Sequence, residues 1–135
     1  MGAREQLHQN LTLELGKHII ADIRVENREI LTDINFFRKI IYQSAIRANL
    51  KIIGEHYYRF DKTGGFSYVL FIAESHISIH TWPEYGYAAL DIFTCGEKAK
   101  PWEAFNFIIQ NLKVEKINIM ELKRGILDKN ITKEI

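Results

Sequence analysis

Residues 66–95, with the sequence FSYVLFIAESHISIHTWPEYGYAALDIFTC, contain three short runs that are typical of β-strands. The runs at 66–73, 76–81 and 87–94 are rich in β-branched and aromatic residues, and turn-forming residues separate them. A fourth run, KIIGEHYYRF at 51–60, precedes the first and is joined to it by the loop DKTGG. A glycine-containing loop of this length between two such runs predicts an antiparallel hairpin.

Two more segments with strand patterns lie outside this region, one near each end of the chain. The segment KHIIADIRV at 17–25 is short, apolar and β-branched, and a last strand is predicted from Val114 to Leu122. The fold is expected to start near Gly16, and the polar tail at 1–12 is expected to be frayed or to form a short helix.

Two other segments carry the three- and four-residue spacing of apolar residues that indicates a helix. The spacing runs from Thr32 to Asn49, where Thr32 and Asp33 can supply the N-cap and a first-turn acid. The segment PWEAFNFIIQNL at 101–112 repeats its aromatic and aliphatic residues in the same way and places Pro101 at a favourable first helical position.

Strands clustered between two helices predict an α+β domain, a two-layer sandwich in which both helices cover one face of a mainly antiparallel sheet. The strands carry near-continuous apolar runs, such as Val69 to Ala73, so the other face of the sheet would be exposed to water. We therefore expect two copies of the chain to pair through their sheets as a dimer.

Length and composition describe residues 1–135 as one domain. The chain is 47% hydrophobic and 26% charged, and its formal net charge of +1 does not favour nucleic acid or an anionic membrane as a partner. It has no apolar stretch of membrane-spanning length and no signal-peptide pattern. The single cysteine, Cys95, cannot form an internal disulfide, so the cytoplasm is the expected compartment, and no metal site is expected.

Potential catalytic groups are concentrated in residues 74–96. A hydroxyl (Ser75), two imidazoles (His76 and His80) and the only thiol (Cys95) fall within this segment. This inventory permits Ser–His or Cys–His nucleophilic catalysis. A hydrolase is poorly supported, because the segment has neither a G-x-S-x-G elbow nor a cysteine-protease signature.

The segment ESHISIHTWPEYGYAALDIFTCG at 74–96 resembles the prokaryotic S-adenosylmethionine decarboxylases, which are pyruvoyl-dependent enzymes of polyamine (spermidine) biosynthesis. Supporting resemblance lies in four shorter stretches along the chain, in the order and spacing of that family: LGKHII (15–20), YRF (58–60), PWEAF (101–105) and Lys123-Arg124-Gly125. The resemblance covers most of the chain from Gly16 to Gly125.

The resemblance implies that the chain is a proenzyme that cleaves itself between Glu74 and Ser75. The Ser75 hydroxyl would attack the preceding carbonyl to form an ester, and loss of the Ser75 α-proton would then break that ester by β-elimination. The products would be a β chain, 1–74, and an α chain, 75–135, that begins with a pyruvoyl group and stays associated with the β chain. That group, derived from Ser75, is the implied cofactor and would form a Schiff base with the substrate amine.

The resemblance also implies roles for the groups that handle protons. His80 matches the proton acceptor in processing, since an imidazole can accept a proton near neutral pH. Regular strand alternation places His80 on the face opposite Ser75, so we expect a bend in the strand to bring them together. His76 is the competing histidine and is expected to be a hydrogen-bonded structural residue. Ser67 matches a serine that assists processing, and Cys95 matches the proton donor in decarboxylation, because a thiol can release a proton near neutral pH.

Two further residues match the substrate-binding pattern of the family. Phe60 resembles an aromatic residue that stacks on adenine, and Glu84 resembles an acid that contacts the ribose hydroxyls of S-adenosylmethionine, the implied small-molecule partner. In addition, the implied assembly is a dimer of αβ heterodimers.

The chain departs from the family near the implied substrate pocket. It has Tyr58-Arg59-Phe60 where His-Arg-Phe is usual, Gly65-Phe66-Ser67-Tyr68 where Gly-Val-Ser-Gly is usual, and one extra residue between Phe60 and Ser75. These differences leave arginine or ornithine as alternative substrates for the same chemistry. A third interpretation is a binding or scaffold domain that never undergoes cleavage.

Overall fold

A computed structural model describes residues 12–128, which form six β-strands and two α-helices. In chain order these are β1 (Thr12–Val25), α1 (Ile34–Arg47), β2 (Ile52–Arg59), β3 (Phe66–Ile72), β4 (Ser75–Trp82), β5 (Tyr87–Cys95), α2 (Pro101–Gln110) and β6 (Val114–Asp128). Two short 3-10 helices, Arg28–Thr32 and Pro83–Tyr85, lie before α1 and between β4 and β5. Neither α-helix of the described residues has both the length and the apolar character required to cross a bilayer.

The strands form one sheet in the order β2-β3-β4-β5-β1-β6, and every neighbouring pair is antiparallel. This confirms the predicted α+β class and the hairpin between β2 and β3. It also places β4 inside the sheet, hydrogen-bonded to β3 on one side and β5 on the other.

One face of the sheet is buried under both helices. Alternate residues of the inner strands point to that face and pack with the helices in a single hydrophobic core. Its strand and helix members include Ile19, Ile23, Tyr68, Leu70, Ile77, Ile79, Leu90, Ile92, Phe37, Ile41, Phe105 and Ile108.

The opposite face, called the open face below, has no helix over it among the described residues. It combines polar side chains with apolar ones that remain partly accessible, including Phe71 (45% exposed), Trp82 (40%) and Leu122 (37%). The uncovered apolar surface expected from the sequence is therefore present. Pairing of two sheets through it stays a prediction.

Two predicted boundaries were wrong, in the first and the last strand of the chain. β1 begins at Thr12, not near Gly16, and β6 continues past Leu122 to Asp128. The two extensions pair with each other in the register Thr12↔Asp128 to Glu14↔Ile126. Because this pairing joins residues more than 100 positions apart, the local sequence pattern at either end does not reveal it. Residues 1–11 of the predicted tail lie outside the part of the chain that the structure describes.

The start of α1 differs from the expectation by one residue. Asp33 is the N-cap, and its Oδ1 accepts a hydrogen bond from the Phe36 amide at 3.0 Å. Thr32 instead ends the preceding 3-10 helix, where its hydroxyl donates to the Glu29 carbonyl at 2.7 Å. The two candidate capping residues therefore serve different helices: Thr32 the end of the 3-10 helix and Asp33 the start of α1.

Replacing Asp33 with alanine should destabilise the protein by about 1 kcal/mol, because an amide in the first turn of α1 loses its side-chain acceptor. Equilibrium urea unfolding followed by circular dichroism measures the change. Lys39→Ala, in the exposed middle of the same helix, is the matched control and should stay within about 0.5 kcal/mol of the parent. Equal stabilities for the two variants would contradict the assigned cap.

Candidate active site

Ser75, the first residue of β4, has an unusual backbone conformation. Its φ is +147°, in a region that residues with a side chain rarely adopt. Such a conformation costs about 1–3 kcal/mol, which the surrounding hydrogen bonds must offset. The strain is located at the residue whose hydroxyl the sequence predicts to react.

Hydrogen bonds fix the residues that precede Ser75, including the carbonyl of the peptide bond between Glu74 and Ser75. The Glu74 carbonyl oxygen accepts a hydrogen bond from the Cys95 amide at 2.9 Å. The Glu74 carboxylate accepts one from the Lys51 amide at 3.0 Å, and the Lys51 carbonyl accepts one from the Ala73 amide at 2.8 Å. A donor already aimed at the Glu74 carbonyl oxygen would stabilise negative charge that develops there.

Cys95 reaches this position because of the register between β4 and β5. Ser75 pairs with Thr94, so Cys95, the last residue of β5, lies beside the Glu74–Ser75 junction. Its side chain is exposed and its thiol is free. The structure therefore brings together the predicted cleavage site and the predicted proton donor.

His76 is the imidazole next to Ser75. Its Nδ1 lies 3.4 Å from the Ser75 hydroxyl oxygen, and its ring packs edge-on against His18 and Phe93, with centroid separations of 6.4 and 5.9 Å. The side chain is partly buried, and this burial, followed by the nearby His18, lowers the pKa of His76 below its usual range, while Asp91 acts in the opposite direction.

A polar cluster that sequence reasoning missed supports this ring. Arg124 on β6 donates to His18 Nδ1 at 3.0 Å, and its guanidinium lies 5.4 Å from the centre of the Phe93 ring. The His18 Nε2 atom is buried and faces an Asp91 carboxylate oxygen at 3.6 Å. His18 and Arg124 lie in stretches that carried the family resemblance, but only the register of β1 with β5 and β6 brings them together with Asp91.

His80 is part of a second group, farther along β4. Its Nδ1 is 2.8 Å from the Ser67 hydroxyl, its register partner on β3. Both residues line a cavity of about 530 Å³ together with Tyr58, Phe60 and Trp82. Ser67, His80 and Phe60 therefore lie around one cavity.

The expected bend between Ser75 and His80 was wrong. β4 is continuous from Ser75 to Trp82 and stays in unbroken register with both neighbours. At about 3.3 Å per residue, five steps along a strand separate the two residues by about 16 Å. Within one chain, therefore, the structure does not bring His80 to Ser75.

Glu84 lies in the 3-10 turn between β4 and β5, just beyond the cavity. It is exposed, and its backbone carbonyl accepts a hydrogen bond from Arg28 at 2.9 Å. Its side chain does not line the cavity that holds Phe60. The turn is tight enough to require a left-handed residue at its end, Gly86, with φ +62°.

The chain resembles known proteins over most of its length. The sequence model described as S-adenosylmethionine decarboxylase matches residues 17–125. A protein named S-adenosylmethionine decarboxylase proenzyme from Caldicellulosiruptor saccharolyticus is 41% identical over 117 residues, which cover 87% of this chain and 94% of the relative. A protein of the same name from Clostridium kluyveri is 42% identical over 115 residues, which cover 85% and 90% of the two chains.

A solved structure shares the fold. The crystal structure of the adenosylmethionine decarboxylase from Aquifex aeolicus superposes with a TM-score of 0.78 at 37% sequence identity, covering 86% of this chain and 95% of that one. The two proenzymes and this structure match the chain over nearly their whole lengths. Sequence and fold together show that the chain belongs to the S-adenosylmethionine decarboxylase family.

Proposed function

We propose that this chain is a self-processing, pyruvoyl-dependent decarboxylase that converts S-adenosylmethionine to its decarboxylated form and CO2 for polyamine synthesis in the cytoplasm. Its family and the proenzyme names of its relatives support the activity. One observation carries the self-processing: the strained Ser75 follows a carbonyl that already accepts a hydrogen bond from the Cys95 amide. A reducing compartment also suits a mechanism that needs the free thiol of Cys95.

Processing begins when the Ser75 hydroxyl oxygen bonds to the Glu74 carbonyl carbon. As the carbon–nitrogen bond breaks, an ester replaces the peptide bond, and the Cys95 amide faces the carbonyl oxygen on which negative charge develops. Loss of the Ser75 α-proton to His80 then breaks the bond between Cβ and Oγ. Glu74 becomes the carboxyl end of chain 1–74, and the dehydroalanine left at position 75 tautomerises to an imine, which adds water and loses ammonia to give the terminal pyruvoyl group of chain 75–135.

The residues around position 75 fit such a group. It would lie between the start of β4 and the end of β5, beside the backbone amide of Cys95. The thiol of the same residue is exposed there. When present, the group supplies an electron sink for the departure of CO2. Cys95 then provides the proton that the α-carbon of the product needs.

We further propose that the site is completed by a second copy of the chain. His80 and Ser67 lie on the open face about 16 Å from Ser75, at a strand spacing of about 3.3 Å per residue. A two-fold axis between two facing sheets, crossing β4 near Ser78, would place Ser75 of one chain against His80 of the partner subunit. Ser78 is small and points to the open face between the two groups, which allows close approach.

In this assembly the cavity around Phe60 faces residue 75 of the other chain. Its aromatic lining, Tyr58, Phe60 and Trp82, suits a flat adenine ring and a sulfonium cation. Glu84, in the turn that follows the cavity residue Trp82, is the proposed ribose contact. Arginine or ornithine is the second candidate substrate, because Asp61 lines the same cavity and could pair with a second positive charge.

Purified wild-type protein should consist of two chains, 1–74 and 75–135, the second with a terminal pyruvoyl group, and Ser75→Ala should remain one chain because it lacks the attacking hydroxyl. Intact-mass spectrometry separates these species. Ser78→Ala, on the same strand, is the matched control and should still be cleaved. A wild-type protein that stays uncleaved would favour the scaffold interpretation.

Co-expression of Ser75→Ala with His80→Ala should restore cleavage of the His80→Ala chain, whereas neither variant is cleaved alone. In the mixed dimer, Ser75 of one chain faces His80 of the partner subunit, so one site of the two is complete. With random pairing, about half of the His80→Ala chains should be cleaved, as measured by intact mass. Absence of any cleavage in mixed dimers would place His80 and Ser75 in the same chain's site.

The processed protein should release CO2 from S-adenosylmethionine but not from arginine or ornithine. Cys95→Ala should be cleaved and yet release CO2 more slowly, on the order of 10²-fold, because it lacks a general acid. The release of labelled CO2 from carboxyl-labelled substrates measures both results. Release only from arginine or ornithine would exclude the proposed substrate, and an unchanged rate in Cys95→Ala would remove the assigned role.

A further inference from the structure

The histidine that contacts Ser75 in the structure is His76, not His80. The Ser75 hydroxyl oxygen lies 3.4 Å from His76 Nδ1. The His80 imidazole is five residues farther along the strand and is engaged with the Ser67 hydroxyl at 2.8 Å. A hydrogen bond of 3.4 Å is long, but such contacts commonly shorten when the reacting geometry forms.

The His76 ring is held in place by neighbours from other strands. His18 on β1 and Phe93 on β5 both pack edge-on against it, with interplanar angles of 81° and 67°. On β3 its register partner is Phe71. This packing restricts the ring and keeps Nδ1 directed at the start of β4.

The surroundings of His76 favour its neutral form. The charged or titratable groups on the strands packed around it are His18 from β1, Asp91 from β5 and, behind His18, Arg124 from β6. Burial is the main cause that lowers the pKa of His76, and His18 adds to it. A neutral imidazole with its proton on Nε2 has a free lone pair on Nδ1 and can accept a proton there.

We propose that His76 is the base that takes the Ser75 hydroxyl proton in the first step of chain cleavage, an inference that rests on the self-processing function proposed above. As Oγ bonds to the Glu74 carbonyl carbon, its proton moves to Nδ1. The imidazolium then returns that proton to the Ser75 nitrogen as the carbon–nitrogen bond breaks. The step yields an ester and a free amine, and it needs no other reactant.

This assignment divides processing between two histidines. His76, within the same chain, acts on the hydroxyl proton and forms the ester. His80 acts later, on the α-proton, and breaks the ester. Loss of each imidazole should therefore stop the reaction at a different species.

Hydroxylamine distinguishes these species, because it cleaves esters under conditions that leave peptide bonds intact. His80→Ala should accumulate ester, so that hydroxylamine releases fragment 1–74. In His76→Gln the bond between Glu74 and Ser75 should remain a peptide bond, which hydroxylamine does not cleave. Self-cleavage of this variant should be slower by on the order of 10²-fold. His56→Gln, an exposed position on β2, is the matched control and should be cleaved at the wild-type rate.

The outcomes separate this inference from the function on which it rests. If wild-type protein is never cleaved, self-processing itself fails. If wild-type protein is cleaved and His76→Gln is cleaved equally fast, or accumulates the ester, then His76 is not the base for the first step and self-processing stands.

A second measurement leaves His76 in place and so does not depend on the folding of its variants. In the His80→Ala background, the rate of ester formation should fall on the acid side as His76 becomes protonated. His18 lowers the pKa of His76, so adding His18→Gln should raise that pKa and move this acid limb to higher pH. A limb that does not move would overturn the proposal, since a purely structural His76 would leave the rate insensitive to His18.

Discussion

The double pairing of β4, with β3 on one side and β5 on the other, is the constraint on which the arrangement of functional groups depends. It sets Ser75 opposite Thr94 and His80 opposite Ser67. A shift of one residue would turn the core residues Ile77 and Ile79 towards the open face. The cost of exposing them fixes the register, and the register fixes which groups meet.

The same pairing maintains the strain at Ser75. A residue with φ +147° persists only where its surroundings hold it, and here the Glu74 carbonyl is bound by the Cys95 amide while the Glu74 carboxylate is bound by the Lys51 amide. Relief of that strain when the peptide bond breaks would favour cleavage. The local geometry at Ser75 therefore favours the proposed cleavage.

The open face explains why one chain looks incomplete as an enzyme. Two polar clusters lie at opposite ends of β4, one around His76, whose ring contacts Ser75, and one around Ser67 and His80. Aromatic and aliphatic side chains between and beside them stay partly exposed. A second sheet over this face would bury the apolar surface and join the two clusters, which is why assembly and catalysis are proposed together.

The secondary-structure elements and the set of reactive side chains can be read from the amino-acid sequence. Period-two and period-3.6 spacing is a local property, so the strands and both helices followed from it, while Ser75, His80 and Cys95 became candidates through the resemblance of residues 74–96 to the decarboxylase family. Tertiary structure alone decided which of these groups meet. Cys95 reaches Glu74 through strand register, and Arg124 reaches His18 across 106 positions of chain. The expected bend failed for the same reason: hydrogen bonding to two neighbouring strands keeps β4 extended, whatever the proposed chemistry of its ends requires.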